Sequence, residues 1–179
     1  MKGKGSPFHG KFRGTVTDNR DPLLLGRVRA KVVDVLGKLE SGWALPAVPF
    51  AGKGVGLFLL PPVGANVWIE FEHGDPDYPI WTGCFWGVPT ATGLPSVLPT
   101  EFPGNLLPDQ TMIKVLKTDA GTIKLDETPG IGGITIETAG GMKIVINTLG
   151  ITIDNGVNAK IELQGPMVSI NGDALQVLF

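Results

Sequence analysis

The sequence has few of the residues on which enzymes and metal sites most often depend. Its 179 residues include one cysteine, two histidines and one tyrosine. A single cysteine, Cys84, can form neither an internal disulfide framework nor a thiolate metal cage. The N-terminal segment MKGKGSPFHG lacks the apolar stretch of a secretory signal, and no apolar run reaches the length of a transmembrane helix. We therefore expect no signal peptide and no membrane-spanning helix.

A surplus of charge of one sign is also absent, since 15 lysines and arginines face 17 aspartates and glutamates. Sequence-independent binding to nucleic acid requires a basic surface that neutralises phosphates. The balance argues against that class of function and leaves only a local basic patch for it.

Glycine and proline are abundant instead, with 26 and 15 copies. They punctuate turns and disfavour helix interiors, and here they are spread along the chain. Hydrophobic residues make up 42%, which is enough for a core. Because no window has a convincing 3.6-residue period, the sequence predicts many short strands.

Residues 11–88 contain five or six strand-like segments separated by Gly/Pro turns, which is typical of a small Greek-key barrel of the OB type. The longest strand is predicted over residues 26–36, GRVRAKVVDVL. Its alternation puts basic side chains on one face and apolar side chains on the other, namely Arg27, Arg29 and Lys31 against Val28, Ala30 and Val32. We expect residues 1–10 to be a flexible arm and residues 89–110, with five prolines, to be a stiff extended connector.

Residues 111–179 alternate between apolar and polar residues, with shifts of phase marked by glycine. The pattern predicts short strands joined by tight corners, with one dry face and one solvated face. The predicted inward residues are Ile134, Ile136, Met142, Ile144, Ile146, Ile151, Ile153, Val157, Ile161 and Leu163.

A single layer of strands is not stable in water when no helix covers its dry face. The strands could wind as a solenoid within one chain, or three chains could wind together and share an interior. About six or seven strands are few for a solenoid. Burying the inward residues between chains would contribute about 15–30 kcal/mol per chain as an upper bound, at about 1.5–3 kcal/mol each. Six strands would build a rod about 30 Å long.

Several segments resemble a known family. TDNRDPLLLGRVRAKV, followed by WALPAVPFAGKGVGLFLLPPVGANVWIEFEHGDPDYPIWTGCFW, closely resembles the OB-fold domain of contractile-tail spike proteins. These are the baseplate central spikes of contractile-tailed phages and the VgrG spikes of type VI secretion. KTDAGTIKLDETPG is similar to the family's segment between barrel and needle. The resemblance covers nearly all of residues 11–179 and is more specific in the first half.

The resemblance implies an all-β fold with an OB barrel at residues 11–88 and, at residues 111–179, an intertwined triangular β-helix needle formed by three chains. It implies a homotrimeric, non-enzymatic central spike without metal or cofactor, which pierces the target envelope from the tail baseplate of a virion assembled in the host cytoplasm. A phage-derived injection or type VI-like secretion machine is the alternative setting. The large hub domain of VgrG proteins, an inserted lysozyme domain and the iron-binding histidine pair of some spike tips are missing here. The hub is therefore expected to be a separate protein bound at the OB end.

The last residues, LQVLF, are unusually apolar for a chain end. Leu175, Val177 and Phe179 are in phase with one another. They either close the bottom of the rod or form a platform for a separate tip protein, as PAAR-type caps do in related machines. We favour the platform, because the sequence carries no metal-binding tip motif.

One segment, EFEHGDPDYPIW, groups acidic residues with a histidine and raises the question of a metal or acid/base site: Glu70, Glu72, His73, Asp75 and Asp77. Glu70 and Glu72 share a strand face, but His9 is expected in a remote, mobile terminus, so no second histidine is expected nearby. The HGDPD turn uses Asp and Pro for turn geometry. We interpret the segment as scaffold of the barrel.

Three other candidate functional sites are better explained by structural roles. Cys84 has no histidine beside it to activate the thiol and is expected to be a small core residue. The DNRDP segment at residues 18–22 consists mainly of turn formers. The glycines of GKGVG, residues 52–56, precede neither a helix nor a Lys-Ser/Thr pair, so we do not expect a phosphate loop.

Two binding functions of a different class stay open as alternatives. A basic strand face with nearby aromatic residues would suit single-stranded nucleic acid, as in many OB folds: Arg27, Arg29, Lys31, Trp43 and Phe58. Trp81 and Trp86 could serve as stacking platforms for a glycan, although such residues more often fill a barrel or a trimer seam.

Overall fold

The structure is a computed structural model that describes residues 7–87, 109–172 and 174–177. The chain divides into two compact units, Met1–Ser96 and Val97–Phe179. Within the described residues nearly all regular structure is strand, which confirms the all-β prediction. The helices described there are all too short or too polar to cross a membrane. Most of the predicted connector at residues 89–110 lies outside the described residues.

The described part of the first unit is a barrel-like sheet with one helical turn. Its elements are β1 Phe12–Asp18, β2 Arg29–Lys31, α1 Val33–Leu36, β3 Leu45–Pro46, β4 Ala51–Gly52, β5 Val55–Gly56, β6 Asn66–Phe71, a 3₁₀ turn Glu72–Gly74, and β7 Pro79–Cys84. The sheet order is β2-β1-β6-β7-β3, while β4 and β5 form a separate hairpin. The β3–β7 pair is parallel and the other pairs are antiparallel.

Strict alternation builds the core of this unit. Along β6, Val67, Ile69 and Phe71 are buried, while Trp68 and Glu70 are half-buried on the opposite face. The same rule buries the predicted apolar face of the basic strand. The buried core residues are Val16, Val28, Ala30, Val32, Ala44, Val67, Ile69, Phe71 and Trp81.

The strand predicted over residues 26–36 is shorter than expected. It ends at Lys31, and Val33–Leu36 form a single helical turn. Gly37, with φ of 60°, ends this turn in the left-handed region that favours glycine. The chain then returns antiparallel, so that Glu40 pairs with Lys31. Tertiary pairing therefore overrides the strand propensity of the valines.

Residues 7–10, predicted as part of a flexible arm, continue the barrel. The Phe8 ring lies 6.1 Å from the Phe12 ring and 6.3 Å from the Phe71 ring, measured between centroids. The Phe8 N–H also donates a hydrogen bond of 2.9 Å to the Gly74 carbonyl. So short a segment carries no readable period, and the packing of Phe8 against β1 and β6 was not predictable from it.

The described part of the second unit is an antiparallel meander. Its elements are a 3₁₀ turn Asp109–Met112, β8 Ile113–Thr118, β9 Gly121–Asp126, β10 Gly133–Thr138, β11 Lys143–Asn147, β12 Gly150–Asp154, β13 Lys160–Gln164, β14 Met167–Ile170 and β15 Leu175–Val177. Each strand pairs with the next one along the same chain. The intertwining of three chains stays a prediction.

Glycine permits the closest approaches between these strands. At Gly150, φ is 145°, and an added Cβ would lie 1.8 Å from the Leu163 carbonyl oxygen. At Gly133, an added Cβ would lie 2.2 Å from the Ile146 carbonyl oxygen. The strand starts therefore require glycine, which explains why glycine marks the shifts of phase.

Candidate assembly surfaces

The register of the second unit gathers most of its isoleucines and leucines into two columns on one face. In the first column, Ile136 pairs with Ile144, which pairs with Ile153, and the series includes Leu116, Ile123, Ile136, Ile144, Ile153, Ile161, Ile170 and Leu175. The second column comprises Leu125, Ile134, Ile146, Ile151, Leu163 and Val168. Directly paired residues of an antiparallel ladder share a face. We call this surface the apolar face.

Nothing within the described part of the chain covers the apolar face. From β8 to the end of β14, its exposed isoleucines and leucines keep 36–47% of their surface accessible. On the opposite face, Thr135, Val145 and Thr152 pair across three neighbouring strands. The two faces therefore differ in polarity, and the apolar one requires a cover that the described residues do not provide.

Two of the residues predicted to point inward lie outside the columns. Met142 immediately precedes β11, and Val157 lies in the turn between β12 and β13. Both are exposed. Val157 lies among turn residues that break the alternation, whereas the backbone of Met142 still accepts a hydrogen bond from Thr138 N–H directly before β11. The other eight predicted residues lie in the two columns.

The predicted platform at the chain end is described only in part. Leu175 is exposed and pairs with Ile170, and the backbone of Val177 pairs with Val168. Phe179 lies outside the described residues.

A second apolar surface lies on the first unit, where residues 21–27 form an ordered loop. Leu23, Leu24 and Leu25 are 62%, 88% and 54% exposed. Leu24 also has a φ of 55°, an unusual conformation for a leucine. We call these three residues the leucine loop. Leu25 additionally lines an apolar groove of about 280 Å³ beside the β4–β5 hairpin.

Asp21 holds the leucine loop in place. Its carboxylate accepts hydrogen bonds from the backbone N–H groups of Leu23 (3.0 Å) and Leu25 (2.8 Å). The Arg27 guanidinium donates to both of its oxygens, at 2.6 and 3.1 Å. The pair, with Asp21 buried and Arg27 half-buried, thus fixes a loop whose leucine side chains are exposed.

The same contacts set the protonation of the pair. The hydrogen bonds from Arg27 hold the pKa of Asp21 far below its ordinary value of 3.8, although burial opposes the shift. The pKa of Arg27 is raised by Asp21 in turn. The sequence indicates only that Asp21 is a turn former and that Arg27 lies on the basic face of a strand. The signal available was an acid and a base six residues apart around a leucine run.

The basic face proposed for nucleic acid is occupied by contacts within the chain. Arg27 is paired with Asp21, and both Arg27 and Arg29 stack on Trp43, at 5.5 and 5.1 Å from the ring centroid. Arg29 also lies 3.9 Å from Glu40. Two of the three basic residues are therefore engaged by acidic and aromatic neighbours.

The two tryptophans considered for glycan stacking have different positions. Trp81 is buried, and its Nε1 donates a 3.1 Å hydrogen bond to the Gly26 carbonyl. Trp86 is exposed. Trp81 fills the barrel and leaves Trp86 as the accessible one of the two.

The acidic segment forms a turn at the end of β6. His73 has a φ of 54° and is almost fully exposed, and its Nε2 lies 4.0 Å from Glu72. Asp75 accepts a hydrogen bond from the Asp77 N–H at 3.1 Å, which is turn geometry. Glu70 is paired with Lys11 at 2.5 Å. These positions agree with the scaffold interpretation.

One expectation about this segment was wrong. His9 lies against Gly74, since a Cβ added at Gly74 would lie 3.1 Å from the His9 ring. A second histidine is therefore close to the turn, brought there by the packing of Phe8. Among the described residues, no three side chains of His, Cys, Asp or Glu are grouped as metal ligands.

The prediction that Cys84 is a core residue was also wrong. It is exposed at the end of β7 and not in the core. Desolvation by neighbouring atoms raises the pKa of its thiol, which disfavours the reactive thiolate.

Comparisons with known proteins divide the chain into two parts that correspond to the two compact units of the structure. Residues 12–86 match the family described as the type VI secretion system/phage-baseplate injector OB domain. Residues 113–176 match the phage baseplate V C-terminal trimerisation domain. The type VI secretion system spike protein VgrG4b of Pseudomonas aeruginosa is 40% identical over 47 residues. That match covers 26% of this chain and 6% of VgrG4b, so the chain spans a small part of this relative.

Proposed function

Since the chain belongs to the VgrG-like baseplate spike proteins and carries both an OB domain and a trimerisation domain, we propose that it is the membrane-piercing central spike of a contractile tail. Contraction of the sheath would drive it through the target cell envelope. The observation that carries this proposal is the uncovered apolar face of the second unit. Two further copies of the chain would cover it.

The dimensions of the sheet suit a three-sided prism. A strand of five residues spans roughly 17 Å. In a triangle with sides of that length, the axis lies about 5 Å from each side, which an isoleucine side chain reaches. The columns of three sheets would then meet around the axis and exclude water. The trimerisation domain supports this homotrimer.

A prism of this kind suits a part that must transmit force. The apolar face would be buried along its whole length, so separating one sheet from the other two would expose every layer at once. Such a barrier to unfolding is kinetic and does not require ligands or catalysis. The family is structural, and we propose a mechanical role without an active site.

The leucine loop is the surface that we propose for the separate hub protein at the OB end. Its three leucines are held outward by the Asp21–Arg27 pair, so binding would order little that is not already ordered. Leu24→Asp should leave the trimer mass unchanged and prevent co-purification of the hub. Leu39→Asp is the matched control, because Leu39 is also an exposed leucine of the first unit. Retention of the hub by Leu24→Asp would exclude this surface.

At the other end, Leu175, Val177 and Phe179 are proposed as the platform for a PAAR-like tip protein. Truncation before Leu175 should abolish capture of the tip protein and retain the trimer. Loss of the trimer in this variant would instead assign these residues to closing the rod.

The setting we favour is a phage tail baseplate, with an injection or type VI-like machine as the second setting. Gold-labelled antibodies against the chain should mark the baseplate end of isolated particles before contraction. Label along the sheath or on the capsid would contradict a spike.

Binding of single-stranded nucleic acid by the purified chain would support the alternative class of function. The contacts that Arg27 and Arg29 make within the chain argue against that class.

A further inference from the structure

We propose that the three sheets lock together at the corners of the prism, where apolar turn residues of one chain interleave with apolar turn residues of the next. Ile131 and Leu149 of one chain would alternate with Met142 and Val157 of its neighbour. The inference rests on the trimer proposed above and specifies which residues form its seams.

The meander has two lateral edges, because successive turns lie at opposite ends of the strands. The first edge holds the turns at residues 127–132, 148–149 and 165–166, and the second edge holds those at residues 119–120, 139–142, 155–159 and 171–174. Hydrogen bonds within each edge confirm the assignment. Thr148 Oγ1 donates to the Gly130 carbonyl at 3.0 Å on the first edge, and Ala139 N–H donates to the Ala120 carbonyl at 2.9 Å on the second.

Both edges present apolar side chains to solvent at positions where turns usually carry polar ones. On the first edge, Ile131 and Leu149 are 76% and 74% exposed. On the second edge, Met142 and Val157 are 51% and 73% exposed. These four residues lie beyond the two columns, at or past the strand ends, so covering the columns alone does not account for them.

The turns that carry these residues are ordered. Leu149 N–H donates to the Asn147 side chain at 2.9 Å, and Val157 N–H donates to the Asn155 side chain at 3.0 Å. The backbones of the turns at Leu149 and Val157 are therefore held by hydrogen bonds within the chain.

Threefold symmetry determines what covers them. When three identical sheets surround an axis with the same face inward, the first edge of each sheet meets the second edge of the next. Such a heterologous contact closes into a ring of three. The occupant of each edge is therefore the opposite edge of another copy, in agreement with the trimerisation domain matched at residues 113–176.

The heights of these four residues along the threefold axis fit this contact. Ile131 lies between β9 and β10, Met142 between β10 and β11, Leu149 between β11 and β12, and Val157 between β12 and β13. The two residues of one edge are thus two strand spacings apart in height, or about 9.5 Å. The two residues of the other edge are shifted by one strand spacing, so their heights alternate with those of the first edge. Two edges at the same height would interdigitate at intervals of about 4.7 Å, which is close to apolar contact distance.

Disulfide trapping tests the seam. In a Cys84→Ser background, Leu149→Cys is combined with Met142→Cys. Within one chain these positions lie at opposite ends of β11, roughly 17 Å apart, which is too far for a disulfide. Across the proposed seam they are about one strand spacing apart, within the Cα separation that a disulfide accepts. Oxidation should therefore produce covalent dimers and trimers on a non-reducing gel.

The matched control combines Leu149→Cys with Ala120→Cys, which lies on the second edge three strand spacings away and should not be trapped. A native trimer in which neither pair forms a disulfide, or in which both form it equally, would overturn the seam and leave the trimer intact. A monomer would overturn the proposed trimer itself. Specific trapping of the Leu149–Met142 pair alone supports the seam.

Discussion

Replacing Ile144 with aspartate is the sharpest single perturbation of the proposed trimer. Ile144 lies in the middle of the first column, paired with Ile136 and Ile153. Each chain would lose about 1.5–3 kcal/mol of apolar burial, and the trimer three times as much, about 4.5–9 kcal/mol. At about 1.4 kcal/mol per tenfold change, assembly should weaken by roughly three to six orders of magnitude. Three carboxylates in one dry interior would add a further penalty.

Val145→Asp is the matched control for Ile144→Asp. Val145 is the next residue of β11 and lies on the opposite face, between Thr135 and Thr152. It receives the same carboxylate in a polar surrounding, so its trimer should persist. Light scattering after size exclusion gives the mass of each variant. The reasoning is refuted if Ile144→Asp keeps the native mass, or if Val145→Asp dissociates equally.

Three further predictions concern backbone, charge and the acidic segment. Gly150→Ala should lower the melting temperature of the second unit, since its Cβ would lie 1.8 Å from the Leu163 oxygen; an unchanged calorimetric transition would contradict this. The depressed pKa of Asp21 contributes stability above its ordinary value of 3.8, and this stability is lost as the pH falls through the lower folded value. Asp21→Asn should therefore destabilise the first unit at neutral pH and flatten the acid side of its pH–stability curve, whereas an unaltered curve would show that the Arg27 contact is unimportant. Glu72→Ala should leave the mass and the tail function intact, and loss of all function would revive an enzymatic interpretation.

Alternation was the strongest signal in the sequence, because a period of two fixes the face of every strand residue. Eight of the ten predicted inward residues lie in the two columns, whereas Met142 and Val157 lie outside them. A turn resets the phase by a number of residues that the pattern does not specify. Both residues lie on the second edge, where the corner seam is proposed.

The remaining errors arose where distant residues meet. Cys84 was expected in the core, yet it ends β7 in an exposed position. The Asp21–Arg27 pair and the contact of His9 with Gly74 depend on how loops fold onto the barrel. No local period encodes such contacts. The family resemblance anticipated the two domains later matched, but not these side-chain arrangements.

The most direct test of the account is the native mass of the unaltered chain, measured by light scattering after size exclusion and on an unboiled SDS gel. A species of about 57 kDa, three times the chain mass of 18.9 kDa, that resists SDS would agree with a trimer whose apolar faces are buried around one axis. A well-folded monomer near 18.9 kDa would contradict it.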